Sequence, residues 1–297
     1  MISNVNENSV FIFIGGSRIL NGLYQSANIN FLKKLISSRA INCKKFYMLG
    51  FATDAYYEEN KNDIDSVNFE IIEFAKKYGT ELKYKRISGR SLNSINRVTD
   101  YFKKELSGNE KIILWHHNLF GALIGNKLGR YFPNLYLHAD LKGVAPEEEL
   151  FYSDEIFPKR LCKYITLKYI EKIFLPKANS ISLVSHRFAE RIQKIISYPN
   201  KNIFLLPSVF YEDQFYSDNE LREKYREKLK MRDGELLILY SGGMQKYQTT
   251  ENIFKFFKKI EKEDGIRTLI LSVHPEESKK LYDQYKLEKT KLICARG

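Results

Sequence analysis

Cysteine is scarce in this chain: Cys43, Cys162 and Cys294 are the only three among 297 residues. An odd count without ligand spacing excludes a disulfide framework and a structural zinc site, and fits a reducing compartment, the cytoplasm. Long apolar runs are missing as well. No uninterrupted stretch approaches the ~18 residues that a membrane-crossing helix needs. The start, MISNVNENSV, has neither the basic nor the apolar region of a signal peptide. Acid is short relative to base: Lys+Arg less Asp+Glu is 48 − 36 = +12. That imbalance favours anionic partners, whether nucleotide phosphates, nucleic acid or an anionic membrane face. Nucleic acid is set aside, because no aromatic–basic recognition motif accompanies the charge.

What the chain does have is apolar material, 43% of residues, with 20 Phe and 20 Tyr. Short β-branched runs alternate with amphipathic stretches. Strands are predicted at Val10–Ile14, Lys45–Leu49, Leu82–Ile87, Lys111–Trp115, Leu135–His138, Ile181–Val184 and Ile203–Leu206. Helices are predicted at Ile29–Ser37, Val67–Tyr78, Leu92–Leu106, Phe120–Tyr131 and Phe188–Ile196. In Val67–Tyr78 the apolar side is read as Phe69, Ile72, Phe74 and Ala75. This alternation predicts βαβ units and a parallel sheet. A charged segment, residues 213–234, reads as a helical linker. A second α/β series follows: strand Leu236–Tyr240, helix Glu251–Glu263, strand Thr268–Val273, helix Pro275–Tyr285 and strand Lys291–Cys294. The expectation is therefore an α/β chain of two Rossmann-like parallel-sheet domains, residues 1–212 and 235–297. The second is incomplete, since three strands fall short of a doubly wound domain of usual size.

One device occurs once in each domain. A strand runs into paired glycines, Gly15-Gly16 and Gly242-Gly243, with a cation close behind, Arg18 and Lys246. Ligands of parallel sheets bind beyond the carboxyl ends of the strands. Glycine there lets a ligand approach the main chain, and the following helix N-terminus suits phosphate. Thr249 or Thr250 is expected to cap that helix, with Glu251 in its first turn. Neither loop is a dinucleotide fingerprint or a P-loop. Two such loops suggest domains that face each other across a cleft holding an anionic ligand.

The stretches IGGSRILNG, ILWHHNLFGALIG, LHADLKGVAPEEEL, SISLVSHRFAERI, NIFLLPSVFYEDQF, LLILYSGGMQKYQTTENI and LICARG, in that order, carry a resemblance. The chain resembles the GT-B glycosyltransferases, specifically the large retaining family 4 of bacterial polysaccharide and lipid-linked sugar transferases. The resemblance implies a metal-independent transferase without a cofactor. It implies a nucleoside-diphosphate sugar donor and a glycan or lipid-linked acceptor, used in polysaccharide synthesis at the inner face of a membrane. It implies that Gly15, Gly16, Gly242, Gly243 and Lys246 bind the donor, that His117 touches the donor sugar, and that Asp140, Lys142 and Gly143 lie near the acceptor. The chain departs from the family at Pro207-Ser208, where Pro-Asn is usual. It carries one lysine after the second glycine pair, where relatives have an arginine and a lysine. The family's paired second-domain glutamates have no counterpart before Gly297, which reads as a truncated sequence. A non-catalytic binding or scaffolding relative is the alternative.

Other residues take plainer readings. His116 and His117 are adjacent on a strand and point to opposite sides, so His117 alone is assigned to the ligand and no His–His metal pair is expected. Asp63 and Asp65 are read as a polar loop at a helix entry, and Glu147, Glu148 and Glu149 as a solvated acidic face. Ser185 is a helix cap. Pro158–Lys177 reads as a basic amphipathic helix with Leu161, Ile165, Tyr169 and Ile173 on one stripe. Such a helix lies on anionic lipid or, as the plainer assignment, packs its stripe on the core.

Overall fold

The computed structural model describes residues 9–18, 28–41, 43, 45–89, 91–153, 155–196, 202–207, 216–244 and 248–294. The chain forms two compact units, Met1–Ser208 and Val209–Gly297.

In chain order the first unit contains β1 (Ser9–Arg18), α1 (Asn30–Ser37), β2 (Lys45–Phe51), α2 (Asp54–Glu59), α3 (Lys61–Lys77), β3 (Glu81–Ile87), α4 (Leu92–Glu105) and β4 (Lys111–His116). Then come α5 (Leu119–Leu128), β5 (Leu135–Leu141), α6 (Ala145–Tyr152), α7 (Phe157–Ile173), β6 (Ser180–Leu183), α8 (His186–Ile196) and β7 (Asn202–Leu205). The seven strands are parallel, in the order β3-β2-β1-β4-β5-β6-β7. Strand alternation splits β1 cleanly. Val10, Ile12 and Ile14 join one core with α4, α5 and α8, while Phe11 and Phe13 join the other with α1 and α3. Helices thus cover both faces, and the central strands are apolar throughout, as a buried parallel sheet requires.

The polar exception lies on the second face of β5 and β6. His138, Asp140, Ser180 and Ser182 are all buried there. The residues between them, Leu137, Ala139, Ile181 and Leu183, serve the first core.

Several expectations are corrected. β1 does not end at its glycines. It continues through Gly15 and Gly16 to Arg18, with a register shift against β2 between Ile14 and Arg18. Glycine tolerates such an irregularity within a strand. Asp63 and Asp65 lie inside α3, where Asp65 accepts a 3.0 Å bond from the Tyr57 hydroxyl. The buried side of α3 is Ile64, Asn68, Ile71 and Ala75, while Phe69 is 65% exposed. The acidic run is no solvated face. Glu147 binds Arg191 and Lys168, Glu148 accepts from the Val144 N–H, and Glu149 pairs with Lys163. Arg191 also grips the buried Glu171, so one guanidinium ties α6, α7 and α8 together. Ser185 does cap α8, accepting from Phe188 N–H at 3.3 Å. The stripe of α7 points away from the core: Ile165 is 57% exposed and Tyr169 60%.

α5 packs closely on β4. A Cβ at Gly121 would lie 2.4 Å from His116 Cβ and 2.7 Å from its Cγ. Both atoms belong to a fully buried strand residue that has nowhere to go. Gly121→Ala is therefore expected to destabilise the first unit by about 1–3 kcal/mol. Urea unfolding checks this; a change near zero would mean that α5 lifts freely off the sheet.

The second unit contains α9 (Asn219–Lys228), β8 (Leu236–Ser241), α10 (Thr250–Ile260), β9 (Ile266–Ser272), α11 (Pro275–Gln284) and β10 (Lys291–Cys294). Its parallel sheet has the order β10-β9-β8. Phe254 and Phe257 of α10 pack with Ile270 and Leu287 in its core.

Candidate functional site

β4 and β5 are neighbours, so their carboxyl ends bring His117, Asp140 and Lys142 together. The His117 N–H donates to the Ile14 carbonyl at 3.1 Å, which extends the sheet edge by one residue. Its ring stands edge-on to Phe13, centroids 4.9 Å apart. Its Nε2 lies 3.0 Å from Asp140 Oδ2. The approach is too bent for a directed ring N–H bond, so the contact is electrostatic. Lys142 Nζ reaches the same oxygen at 2.9 Å.

The other oxygen of Asp140 accepts from the Ser182 hydroxyl at 2.7 Å. Ser182 has one proton, and it is spent on that bond. Ser182 Oγ must therefore accept from His138 Nε2, 3.0 Å away. That fixes His138 as the Nε2–H tautomer, and its Nδ1 accepts from Ser180 Oγ at 2.7 Å. The result is a one-way relay of donors, Ser180 to His138 to Ser182 to Asp140. Burial would raise the Asp140 carboxyl, but His117, Lys142 and Ser182 outweigh it and hold it well below the usual carboxylate range. His138 is lowered to about 4, chiefly by burial, so it is neutral at pH 7 and fit for this role. A cavity of about 250 Å³ adjoins the relay, lined by Trp115, Tyr136, His138, Ser180, Ser182 and Phe204 among others.

Asn118 joins this cluster to the first glycine pair. Its side chain caps α5, accepting from Gly121 N–H at 2.8 Å, and donates to the Gly15 carbonyl at 2.9 Å. A Cβ at Gly15 would lie 2.4 Å from Asn28 Nδ2, so a buried amide occupies the space that a side chain would take. Gly16 is an extended residue of β1. Gly143 has the same kind of cause: a Cβ there would meet Glu148 Oε1 at 2.3 Å. Glu148 bonds the Val144 N–H and closes the turn after β5. Sequence reading passed over Asn118, His138, Ser180 and Ser182. The visible signals were an Asn before the helical LFGALIG, and polar residues in alternation in HAD and SIS.

In the second unit the glycines have separate reasons. The Tyr240 hydroxyl folds back to lie 2.6 Å from the Gly243 carbonyl and 2.7 Å from Gln248 Oε1. A Cβ at Gly242 would sit 2.8 Å from that hydroxyl. Gly242 is thus explained by packing alone. Gly243 is not, and neither residue has a positive φ. Thr249, at the N-cap of α10, is left-handed with φ 50° and makes no side-chain cap bond, contrary to expectation. Glu251 does stand in the first turn. Lys246 lies outside the described residues.

No protein-family model matches the chain, and no curated protein matches it. Solved structures do match in fold. The N-terminal domain of trehalose-6-phosphate phosphatase from Candida albicans aligns with a TM-score of 0.59 at 13% identity, over 97% of this chain and 72% of that one. A glycosyltransferase from Rickettsia africae aligns with a TM-score of 0.59 at 12% identity, over 98% and 69%. HepE from Anabaena, in complex with UDP and glucose, aligns with a TM-score of 0.55 at 9% identity, over 97% and 69%. The likeness at these identities is one of fold: parallel sheets of the Rossmann-like GT-B kind, shared with glycosyltransferases.

Proposed function

We propose that the chain transfers a sugar from a nucleoside-diphosphate sugar to a glycan or lipid-linked acceptor. The observation that carries this reading is the ionised, buried Asp140 that holds His117 and Lys142 at the carboxyl ends of β4 and β5. Parallel sheets take their ligands at such ends, and the GT-B fold likeness supports a nucleotide sugar as the ligand. In this proposal His117 makes a polar contact to the donor sugar. Asp140 has both oxygens engaged, so it serves by orienting His117 and Lys142 instead of receiving a proton itself. Lys142 and Gly143 stand on the acceptor side. The backbone at Gly15 and Gly16 contributes to the donor site. Gly243, the start of α10 and Lys246 meet the diphosphate, whose charge rises as the glycosidic bond breaks and needs preorganised donors and cations.

The test has two parts. Lys246→Ala removes a charge-assisted contact worth ~1.5–3 kcal/mol. UDP and GDP binding measured by calorimetry on the protein should weaken roughly tenfold or more for whichever nucleotide binds. Gly243→Ala should weaken the same nucleotide while leaving thermal unfolding unchanged, because no positive φ is strained there. His117→Ala should lower sugar-transfer turnover at least about tenfold with nucleotide affinity kept, since a positioning contact is lost. Nucleotide affinity indifferent to both loop changes would sink the donor assignment.

A further inference from the structure

The outward face of α7 is more apolar than a free surface requires. Leu161, Ile165, Tyr169 and Ile173 are 37%, 57%, 60% and 39% exposed. Steps of four residues precess by about 40° on a helix, so these four cover an arc of about 120°. The patch continues into the turn before α7, where Phe151, Ile156 and Phe157 are 64%, 73% and 58% exposed. The buried side of α7 carries charge instead: Glu171 is 2% exposed and bound by Arg191. This is the reverse of an ordinary surface helix, and contiguous exposed apolar patches of this kind mark interaction surfaces.

We propose that this face docks on an anionic lipid bilayer. Charge decides between a bilayer and another occupant. The acids of the segment are turned inward or spent. Glu147, Glu149, Glu155 and Glu171 are engaged by Arg191, Lys163, Lys159 and Lys168. Lys172 lies within the apolar arc and makes no ion pair among the described residues, and Lys177 follows at the same end, over the Phe174 ring. The exposed charge beside the patch is therefore positive, on a chain of net charge +12. Aromatic and aliphatic side chains with lysines beside them suit the headgroup boundary, where such a helix lies in plane about 5–10 Å deep. No helix among the described residues is long and apolar enough to cross a membrane, so attachment is lateral. The inference is independent of the sugar-transfer reading.

Co-sedimentation of the full chain with phosphatidylglycerol/phosphatidylcholine vesicles tests it, with pure phosphatidylcholine vesicles as the comparison. The protein should bind the anionic vesicles, less so as salt rises. Ile165→Asp with Tyr169→Asp should reduce the bound fraction at least tenfold and leave thermal unfolding unchanged, since both side chains are more than half exposed. Lys172→Glu should weaken binding without abolishing it. Failure to bind anionic vesicles would overturn the proposal, and so would equal binding by the double variant. Concentration-dependent self-association removed by the same two substitutions, without vesicle binding, would overturn it in favour of a second copy.

Discussion

Acidification from pH 6.5 to 4 should cost the first unit on the order of 2–3 kcal/mol of stability per pH unit, well before its carboxylates titrate. Burial lowers His116 to about 3 and His138 to about 4. Both are neutral in the folded protein across this range, while in the unfolded chain they bind protons below about 6.5. The unfolded state then holds more protons than the folded one, and stability falls as pH falls. The contribution is complete above pH 6.5 and drains away towards the folded values. The groups around His138 do not reverse this. Asp140 raises it, but less than burial lowers it, and His117 and Lys142 lower it further. Asp140 adds its own loss in the same direction, below the usual carboxylate value of about 4. Urea unfolding at pH 7, 6, 5 and 4 measures the slope, and His138→Gln should remove roughly half of it. Stability that stays level from pH 7 to 5 would show that neither histidine is buried as described.

Glu261→Gln should destabilise the second unit by ~3 kcal/mol. This carboxylate, at the end of α10, is 2% exposed. One oxygen accepts from the N–H groups of Glu288, Lys289 and Thr290 at 3.1, 3.0 and 3.1 Å, and from the Thr290 hydroxyl at 3.0 Å. The other oxygen accepts from Lys258 at 2.9 Å. It replaces solvent for the whole turn that leads into β10. Burial alone would raise its pKa, but Lys258 and these donors outweigh burial and lower it. Its contribution is therefore present above about pH 4.3 and fades below. Glutamine supplies one acceptor oxygen and turns an NH₂ towards donors or towards Lys258. Amide hydrogen exchange at Lys289 and Thr290 should rise along with the loss in unfolding free energy. The exposed neighbour Glu263→Gln should be nearly silent. A Glu261→Gln protein within about 0.5 kcal/mol of the parent would refute this anchor role.

Element type was legible wherever the pattern was long. β10 falls on Lys291–Cys294 as expected, and β3, α4 and α8 agree to within a residue or two at each end. The failures share a cause: a pattern shows that residues share a face, but not what covers it. The stripe of α7 is real and faces outward, because Glu171 and Arg191 compete for the inner side. In α3 the buried set includes Asn68, which hydropathy counts as polar, and leaves out Phe69. At the site, His117 and Asp140 were within reach of sequence reading, since consecutive strands of a parallel sheet commonly pair. The relay through Ser182 and His138 was not, because it depends on side-chain geometry across β5 and β6. Nor was the fate of Glu147, whose partner Arg191 lies 44 positions away.

The place of β1 in the sheet has a consequence during synthesis. Phe11, Ile12, Phe13 and Ile14 are fully buried, with β2 on one side and β4 on the other, and Ser9 pairs with Lys111. The chain makes its greasiest strand first and its second neighbour about a hundred residues later. At ~5–20 residues per second, that strand waits on the order of 5–20 s for its β4 edge to be sealed. An unsealed apolar edge is the form most prone to pair with another chain. Slowing translation between β2 and β4 should therefore lower the soluble yield, whereas the same delay placed after β5 should matter far less.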